Sequence, residues 1–186
     1  ATTPMTFAVN TGSVGTATYT TDDDNLAGND DNLTVNSNVT VEVTGANQDL
    51  IFHSGDRIII NANATVRSTG SGGNVILESG YSDLDNDGSM SLAGAISAAG
   101  TITLDLNDET GSATQTAGSI TATNLRLLST ALAGGSFALN AGTNDVGTIA
   151  ANTTGSIAYR DTTVLTVGTV TTAGITTTDD DVTLCA

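Results

Sequence analysis

The stretch Gly100-Thr101-Ile102-Thr103-Leu104 is the best guide to the fold class, because it alternates apolar and polar residues directly after a glycine. Alternation with a period of two is typical of a β-strand that is buried on one face. A glycine before a strand suits the backbone angles of a tight corner. The same phrase recurs at residues 88–92, 118–122, 135–139, 147–151, 155–159 and 168–172. The repeat therefore predicts many short strands separated by corners.

The composition agrees with an all-β fold. Of the 186 residues, 38% are apolar but only 3% are aromatic, so Val, Ile, Leu, Ala and Thr methyl groups must form the core. Side chains of this size suit thin, regularly layered sheets. No stretch carries a sustained helical period. We expect one continuous domain over residues 1–186, with a less regular N-terminal part at about residues 1–67.

Short strands with small residues at each corner favour a parallel β-helix, a solenoid in which each coil stacks on the last. A β-sandwich is the alternative architecture. A sandwich of the Greek-key type would need longer strands, more even spacing and a more aromatic core. The sequence therefore predicts the parallel β-helix over the sandwich.

The charge balance restricts the partners. Twenty acidic residues are set against four arginines and no lysine, which gives a formal net charge of −16. Nucleic acids and anionic membrane surfaces both require clustered basic residues, so neither is an expected partner. No apolar run approaches the roughly 20 residues that cross a bilayer. A single cysteine, Cys185, excludes an intrachain disulfide framework.

Asp83, Asp85 and Asp87 stand at alternate positions before Gly88. Carboxylates spaced in this way, closed by a glycine, form the opening half of an oxygen-rich Ca²⁺ loop. A complete EF-hand is excluded, because no acidic residue lies near position 94. Ca²⁺ is the one cofactor that the sequence predicts, and a solvated turn without metal is the alternative.

Three further acidic runs are weaker candidates for cation binding. Stacked carboxylates repel one another unless cations or solvent lie between them, so such runs suit a position between coils or between subunits. The runs are Asp22, Asp23 and Asp24; Asp30 and Asp31; and Asp179, Asp180 and Asp181.

Residues 118–128, 135–140, 144–159, 165–170 and 174–184 resemble the repeats of large bacterial filamentous-haemagglutinin-like exoproteins. The resemblance is strongest from about Ser68 onwards. It implies a right-handed parallel β-helix that is secreted to the cell surface and acts as an adhesin, a biofilm scaffold or a filament. The family offers no catalytic motif to carry over.

The sequence and the resemblance together predict a non-enzymatic, extracellular structural or adhesive module of a bacterial surface protein. Its partners would be copies of itself, neighbouring repeats, or host or matrix surface molecules. The alternative is a filament subunit that stacks end to end, because an open sheet edge templates another chain. The candidate assembly residues lie in the first and last predicted strands and are Met5, Phe7, Val9, Val182 and Leu184.

An enzymatic function is the remote alternative. His53 is the only histidine, so a Cys–His or Ser–His–Asp arrangement is hard to assemble. A polysaccharide-cleaving enzyme would need paired carboxylates, and the scarcity of aromatic rings argues against a sugar-binding groove. Ice binding is disfavoured because no regular Thr-x-Thr ladder is present. The acids available to such an enzyme are Asp83, Asp85, Asp87, Asp105, Asp108 and Glu109.

Overall fold

A computed structural model describes residues 4–24, 31–82, 88–107, 111–129, 134–141, 143–178 and 180–186. All of the regular secondary structure within these ranges consists of β-strands, so the described chain is all-β. No helix in this part of the chain is long and apolar enough to cross a bilayer.

The strands are short, and most alternate between buried and exposed residues. In chain order they are β1 (Met5–Phe7), β2 (Thr11–Ser13), β3 (Ala17–Thr21), β4 (Leu33–Val35), β5 (Thr40–Val43), β6 (Leu50–Ser54), β7 (Arg57–Ile60), β8 (Thr65–Ser68), β9 (Val75–Ser79), β10 (Ser89–Leu92), β11 (Ala95–Asp105), β12 (Ser112–Gln115), β13 (Ser119–Ser129), β14 (Ser136–Leu139), β15 (Asp145–Thr153), β16 (Ile157–Arg160), β17 (Thr166–Val167), β18 (Thr169–Val170), β19 (Thr172–Ala173), β20 (Ile175–Thr176) and β21 (Val182–Cys185).

Two parallel sheets account for most of these strands. Sheet A has eight strands in the order β1-β4-β7-β10-β12-β14-β16-β21. Sheet B has eleven strands and follows the order β17-β15-β13-β11-β8-β5-β2, with β9, β6 and β3 continuing from β11 along a second row and β20 beside β15. A small antiparallel hairpin, β18–β19, completes the described structure.

Paired residues on neighbouring strands are separated by a similar length of chain throughout. In sheet A, the paired residues that lie closest together in the sequence are Phe137 and Ile157, and those that lie farthest apart are Ile58 and Met90. Each strand of sheet A is followed in the chain by one or more strands of sheet B before the chain returns to sheet A. This recurrence is the structural counterpart of the repeated phrase in the sequence.

The core lies between the two layers and is built from columns, which we define as side chains at one register position on successive strands. One column of sheet A joins Met5, Leu33, Ile58, Met90, Ala113, Phe137, Ile157 and Val182. One column of sheet B joins Ala17, Leu50, Val75, Ile102, Leu125, Ile149 and Val167. The interior members are fully buried, so each column is a continuous apolar stack.

The prediction of a right-handed parallel β-helix is wrong. The described strands form two layers of parallel sheet, and sheet B is a single branched, barrel-like sheet that nearly closes on itself. The physical reason lies in β11 and β15, which continue through Gly100 and Gly147, where the sequence places a corner. Together with β13 they join two rows of strands into one sheet. Two layers are also a feature of the β-sandwich alternative, although neighbouring strands in sheets A and B are parallel.

The recurring glycines are not all at corners, contrary to the prediction. Gly100 and Gly147 lie inside β11 and β15, and the register of β11 against β13 shifts between Ala98 and Thr101, which marks a bulge and not a corner. Of the seven glycines that begin the repeated phrase, only Gly118 has a positive φ, at 71°. The left-handed positions at non-glycine residues are Asn38, Asn47, Asn63, Ser82, Asn107 and Thr171.

Candidate assembly edges and acidic cluster

One end of the molecule is formed by β1, β2 and β3, which we call the first edge. In the described structure each of these strands pairs on one side only, with β4, β5 and β6 respectively. The ring of Phe7 packs edge-on against Tyr19 at 4.8 Å and stacks on Phe52 at 5.5 Å between ring centroids. Val9, two residues after Phe7, is 72% exposed. The first edge therefore presents backbone donors and acceptors together with apolar side chains.

The opposite end is formed by β17, β20 and β21, which we call the second edge. In the described residues, β21 pairs only with β16, and β17 and β20 pair only with β15. Val182 is 42% exposed, while Leu184 and Ile175 are half-buried against the core. Like the first edge, the second edge therefore carries apolar side chains that continue the core to the end of the sheet.

The two edges carry matching side chains, because the same columns begin at one and end at the other. In sheet A, the column of Met5 ends at Val182. The neighbouring column begins with Phe7 and Val35 and finishes with Tyr159 and Leu184. A second copy added at the second edge in parallel register would place its Met5 beside Val182 and its Phe7 beside Leu184. Both junctions join apolar residues of the same inward-facing columns.

Sheet B repeats this match with residues that the sequence analysis missed. Its second column joins Tyr19, Phe52, Leu77, Leu104, Leu127, Ala151 and Ile175. Tyr19, Val167 and Ile175 therefore lie at edges, in addition to the predicted Met5 and Val182. The period-2 alternation of residues 17–21 was the available signal, but nothing in the sequence assigns those residues to an edge.

A cluster of acids lies beside the first edge. Asp23, Asp24 and Asp31 each bring one carboxylate oxygen within 4.8 Å of the other two. Asp31 is the buried member, with only 1% of its surface exposed, and its Oδ2 accepts a hydrogen bond of 3.0 Å from the backbone N–H of Asp24. Carboxylate oxygens are the ligands that Ca²⁺ prefers, and the ion takes six to eight oxygens in flexible geometry.

A buried polar network holds this cluster in place. The backbone N–H of Asp31 donates to Oδ2 of Asp56 at 2.9 Å. The backbone carbonyl of Asp31 accepts from the hydroxyls of Thr21 and Ser54. The backbone N–H of Gly55 in turn donates to the carbonyl of Thr21 at 2.9 Å, so the acidic segment is tied to β3 and β6. Because these groups are buried and bonded, the carboxylate of Asp31 has a fixed position.

The predicted metal residues are only partly brought together. Asp23 and Asp24 of the first acidic run join the cluster, whereas Asp22 is not one of its members. Asp180 and Asp181 belong to no such group among the described residues. The strongest sequence candidate, formed by Asp83, Asp85 and Asp87, lies outside the described residues, and so does Asp179. Asp56 was not among the predicted residues, because it stands alone between Gly55 and Arg57 and belongs to no acidic run.

A second titratable group lies on the outer face of sheet B. Nε2 of His53 is 3.4 Å from Oε2 of Glu78, and the His53 ring stacks on Tyr81 at 4.2 Å. Burial lowers the pKa of His53. Burial, followed by the charge of Asp105, raises the pKa of Glu78, and burial raises the pKa of Asp105 despite the hydrogen bond from Asn107 and the charge of Arg126. Glu78 and Asp105 are partners in register on adjacent strands, so like charges face each other there.

No protein-family model, curated protein or solved structure matches the chain. The resemblance to filamentous-haemagglutinin-like exoproteins therefore stays a prediction from the sequence.

Proposed function

We propose that the chain is a non-enzymatic structural module that assembles end to end with further copies of itself, the first edge of one copy pairing with the second edge of the next. The observation that carries this proposal is the match between the edges. Columns of mainly apolar side chains begin at Met5, Phe7, Ala17 and Tyr19 and end at Val182, Leu184, Val167 and Ile175, with Gln115 a buried polar member of the Phe7 column. An extracellular location at a bacterial surface remains part of the proposal, on the strength of the resemblance alone.

Association is favoured because each edge of the described structure exposes two kinds of surface, namely unpaired backbone groups and apolar side chains. A parallel edge strand exposes unpaired N–H and C=O groups, which template another strand. The half-buried residues Met5, Tyr19, Ile175 and Leu184 pack on the core but are not covered by a further layer in the described structure. Strand addition in register would pair the backbone and bury these side chains in one step.

The test is sedimentation velocity and negative-stain electron microscopy of the chain at physiological salt over a range of protein concentrations. We expect wild-type protein to form rods whose length grows with concentration. Val182→Lys places a charge at the end of an apolar column, so we expect this variant to stay as single copies. Val164→Lys is the matched control, because Val164 is 86% exposed and lies outside every strand. Wild-type protein that remains a single copy at every concentration would sink the proposal.

We also propose that Ca²⁺ binds the carboxylates of Asp23, Asp24 and Asp31 and stabilises the first edge. Three carboxylates within 4.8 Å of one another repel in the absence of a cation, and one of them is buried. A divalent ion between them would turn this repulsion into attraction and would bind the folded chain in preference to the unfolded chain.

Thermal melting in millimolar Ca²⁺ and in excess chelator tests this second proposal. We expect a higher melting temperature with Ca²⁺ for wild-type protein and no difference for Asp31→Asn. The control is Asp22→Asn, which removes one charge from the same acidic run but leaves the cluster intact. A melting temperature that is the same in Ca²⁺ and in chelator for the wild type would refute Ca²⁺ binding, without affecting the assembly proposal.

A further inference from the structure

Arg126 lies in the outer face of sheet B, in a groove of about 160 Å³. The groove is lined by Asn74, Ile76, Thr101, Thr103, Arg126 and Thr171. Its floor consists of three neighbouring strands, because Ile76, Thr103 and Arg126 are successive partners across β9, β11 and β13. One wall is the hairpin β18–β19, which packs over β13 and β15 with Thr171 at its turn.

The Nε atom of Arg126 differs from the Nε atoms of Arg57 and Arg67 in lacking an acceptor within the part of the chain that the structure describes. It is buried and has no hydrogen-bond partner among the described residues. By contrast, Nε of Arg57 donates to the hydroxyl of Ser89 at 2.9 Å, and Nε of Arg67 donates to Glu42 at 2.8 Å. A buried charged donor without an acceptor is costly, so such a group in a native structure indicates an acceptor that the protein chain itself does not supply.

We propose that this groove binds a small carboxylate ligand, held by the guanidinium of Arg126 and by the Thr and Asn side chains around it. Arginine presents a planar fork of donors that matches the two oxygens of a carboxylate. Ile76 offers an apolar surface, and the threonine hydroxyls and the Asn74 amide offer hydrogen bonds to a hydroxylated ligand. A sugar acid of one ring, such as a uronic acid, has all three of these features.

The surrounding charge favours a singly charged ligand. Glu78 and Asp105 lie two residues beyond Ile76 and Thr103 on the same strands, and therefore on the same outer face. With these acids nearby, and a net charge of −16 on the whole chain, a dianion such as phosphate would meet more repulsion than one arginine offsets. We therefore expect a carboxylate to bind in preference to inorganic phosphate.

Saturation-transfer NMR on the full chain tests this site, because the method works for single copies and for assembled rods alike. The probe is glucuronate, with glucose as its neutral counterpart, and acetate and inorganic phosphate serve as competitors. We expect saturable transfer to glucuronate and none to glucose. Acetate should displace glucuronate, which would identify the carboxylate itself as the recognised group, and phosphate should not. Equal signals for glucose and glucuronate would overturn the proposal.

Variants of Arg126 locate the binding. We expect about ten- to hundredfold weaker glucuronate binding in Arg126→Gln, as for the loss of hydrogen bonds to a charged group. Arg126→Lys keeps the charge without the fork and should also weaken binding, and circular dichroism shows whether both variants are folded. Arg160→Gln removes an exposed arginine elsewhere and should bind as the wild type does. No glucuronate signal in the wild type, or an equal signal in folded Arg126→Gln, would contradict the proposal and leave a water molecule as the acceptor.

Discussion

Gly118 has a left-handed backbone angle and also lies in close contact with a neighbouring backbone, and glycine is the residue type that suits both. Its φ of 71° lies in the left-handed region, where a side chain is strained. A Cβ at this position would also overlap the backbone carbonyl oxygen of Gly94 on the neighbouring turn. The sequence identified Gly118 as a corner, but it contained no sign of the close backbone approach at Gly94, which depends on how the strands are stacked.

We predict that Gly118→Ala lowers the free energy of unfolding by about 2 to 6 kcal/mol, since backbone strain and overpacking each cost about 1 to 3 kcal/mol. Gly15→Ala is the matched control, because no atom lies within 4 Å of a Cβ there and its φ is not positive. Urea denaturation of the two variants measures the difference. Equal stability of both variants would show that the turn at Gly118 relaxes freely.

Asp161 is a buried residue whose polar contacts the sequence did not reveal. Its Oδ2 accepts hydrogen bonds from the Tyr159 hydroxyl at 2.7 Å and the Val146 N–H at 2.9 Å, and Oδ1 accepts from the Thr163 N–H at 2.8 Å. Burial alone raises the pKa of Asp161, but these hydrogen bonds outweigh burial and hold the pKa below its ordinary value. Tyr159 and Thr163 each lie two residues from Asp161, whereas the Val146 N–H comes from β15, so the sequence alone does not show that these three groups meet at one carboxylate.

The Asp161 contacts predict a loss of stability in acid. Because the folded chain holds the Asp161 proton more weakly than the unfolded chain, this contribution is present above the ordinary aspartate pKa of about 3.9 and is lost as the pH falls through the lower folded-state pKa. Tyr159→Phe removes one stabilising hydrogen bond, which we expect to cost about 1.5 to 3 kcal/mol at neutral pH. Asp161→Asn should show a smaller decrease in stability between pH 6 and pH 2.5 than wild type, as measured by urea denaturation at each pH. A parallel decrease in both proteins would contradict this role.

At the scale of elements, alternation of apolar and polar residues predicts strands well and corners poorly. The repeated phrase at residues 100–104 lies in β11, and the phrase at 118–122 begins with Gly118 directly before β13. Glycine is compatible with a corner and with a bulge inside a strand, so the sequence alone does not distinguish the two. In β11 and β15 the glycine lies within a continuous strand, and this is why the predicted coils merge into sheet B.

The position of each strand in its sheet predicts how readily its backbone opens. Strands β11 and β13 pair on both sides along their length and carry fully buried core residues, whereas β1, β2, β17 and β21 are edges of the described sheets. We predict the slowest amide hydrogen exchange in β11 and β13 and the fastest in the edge strands. In protein that has assembled, β1 and β21 should become protected while the hairpin β18–β19 does not. Exchange in β1 and β21 that is unchanged by assembly would contradict edge pairing.

At the scale of the whole molecule, composition and charge set the class but not the architecture. The scarcity of aromatic residues and the abundance of Thr, Val and Ile agree with thin layered sheets, yet whether two rows of strands join into one sheet depends on long-range register that no local pattern encodes. The acidic cluster shows the same limit. The sequence singled out the acidic run at residues 22–24, whereas the contact with Asp56 depends on the return of the chain through β6 and β7.

The matched edges are the central feature at this scale, and they specify the register of a junction between two copies. If Phe7 of one copy lies beside Leu184 of another, then Ala8 lies beside Cys185, and both residues are exposed. Wild-type protein carries one cysteine, so a bismaleimide cross-linker joins at most two copies. Ala8→Cys provides one thiol at each edge, so cross-linking can continue from copy to copy.

The most direct measurement is therefore the size distribution of Ala8→Cys protein after treatment with a short bismaleimide, read on a denaturing gel. End-to-end assembly predicts a ladder of covalent species well beyond the dimer, with mass spectrometry locating the cross-link between positions 8 and 185. Thr114→Cys, with an exposed residue in the middle of sheet A, should give no such ladder. Products no larger than a dimer from Ala8→Cys, or an equal ladder from Thr114→Cys, would contradict the account.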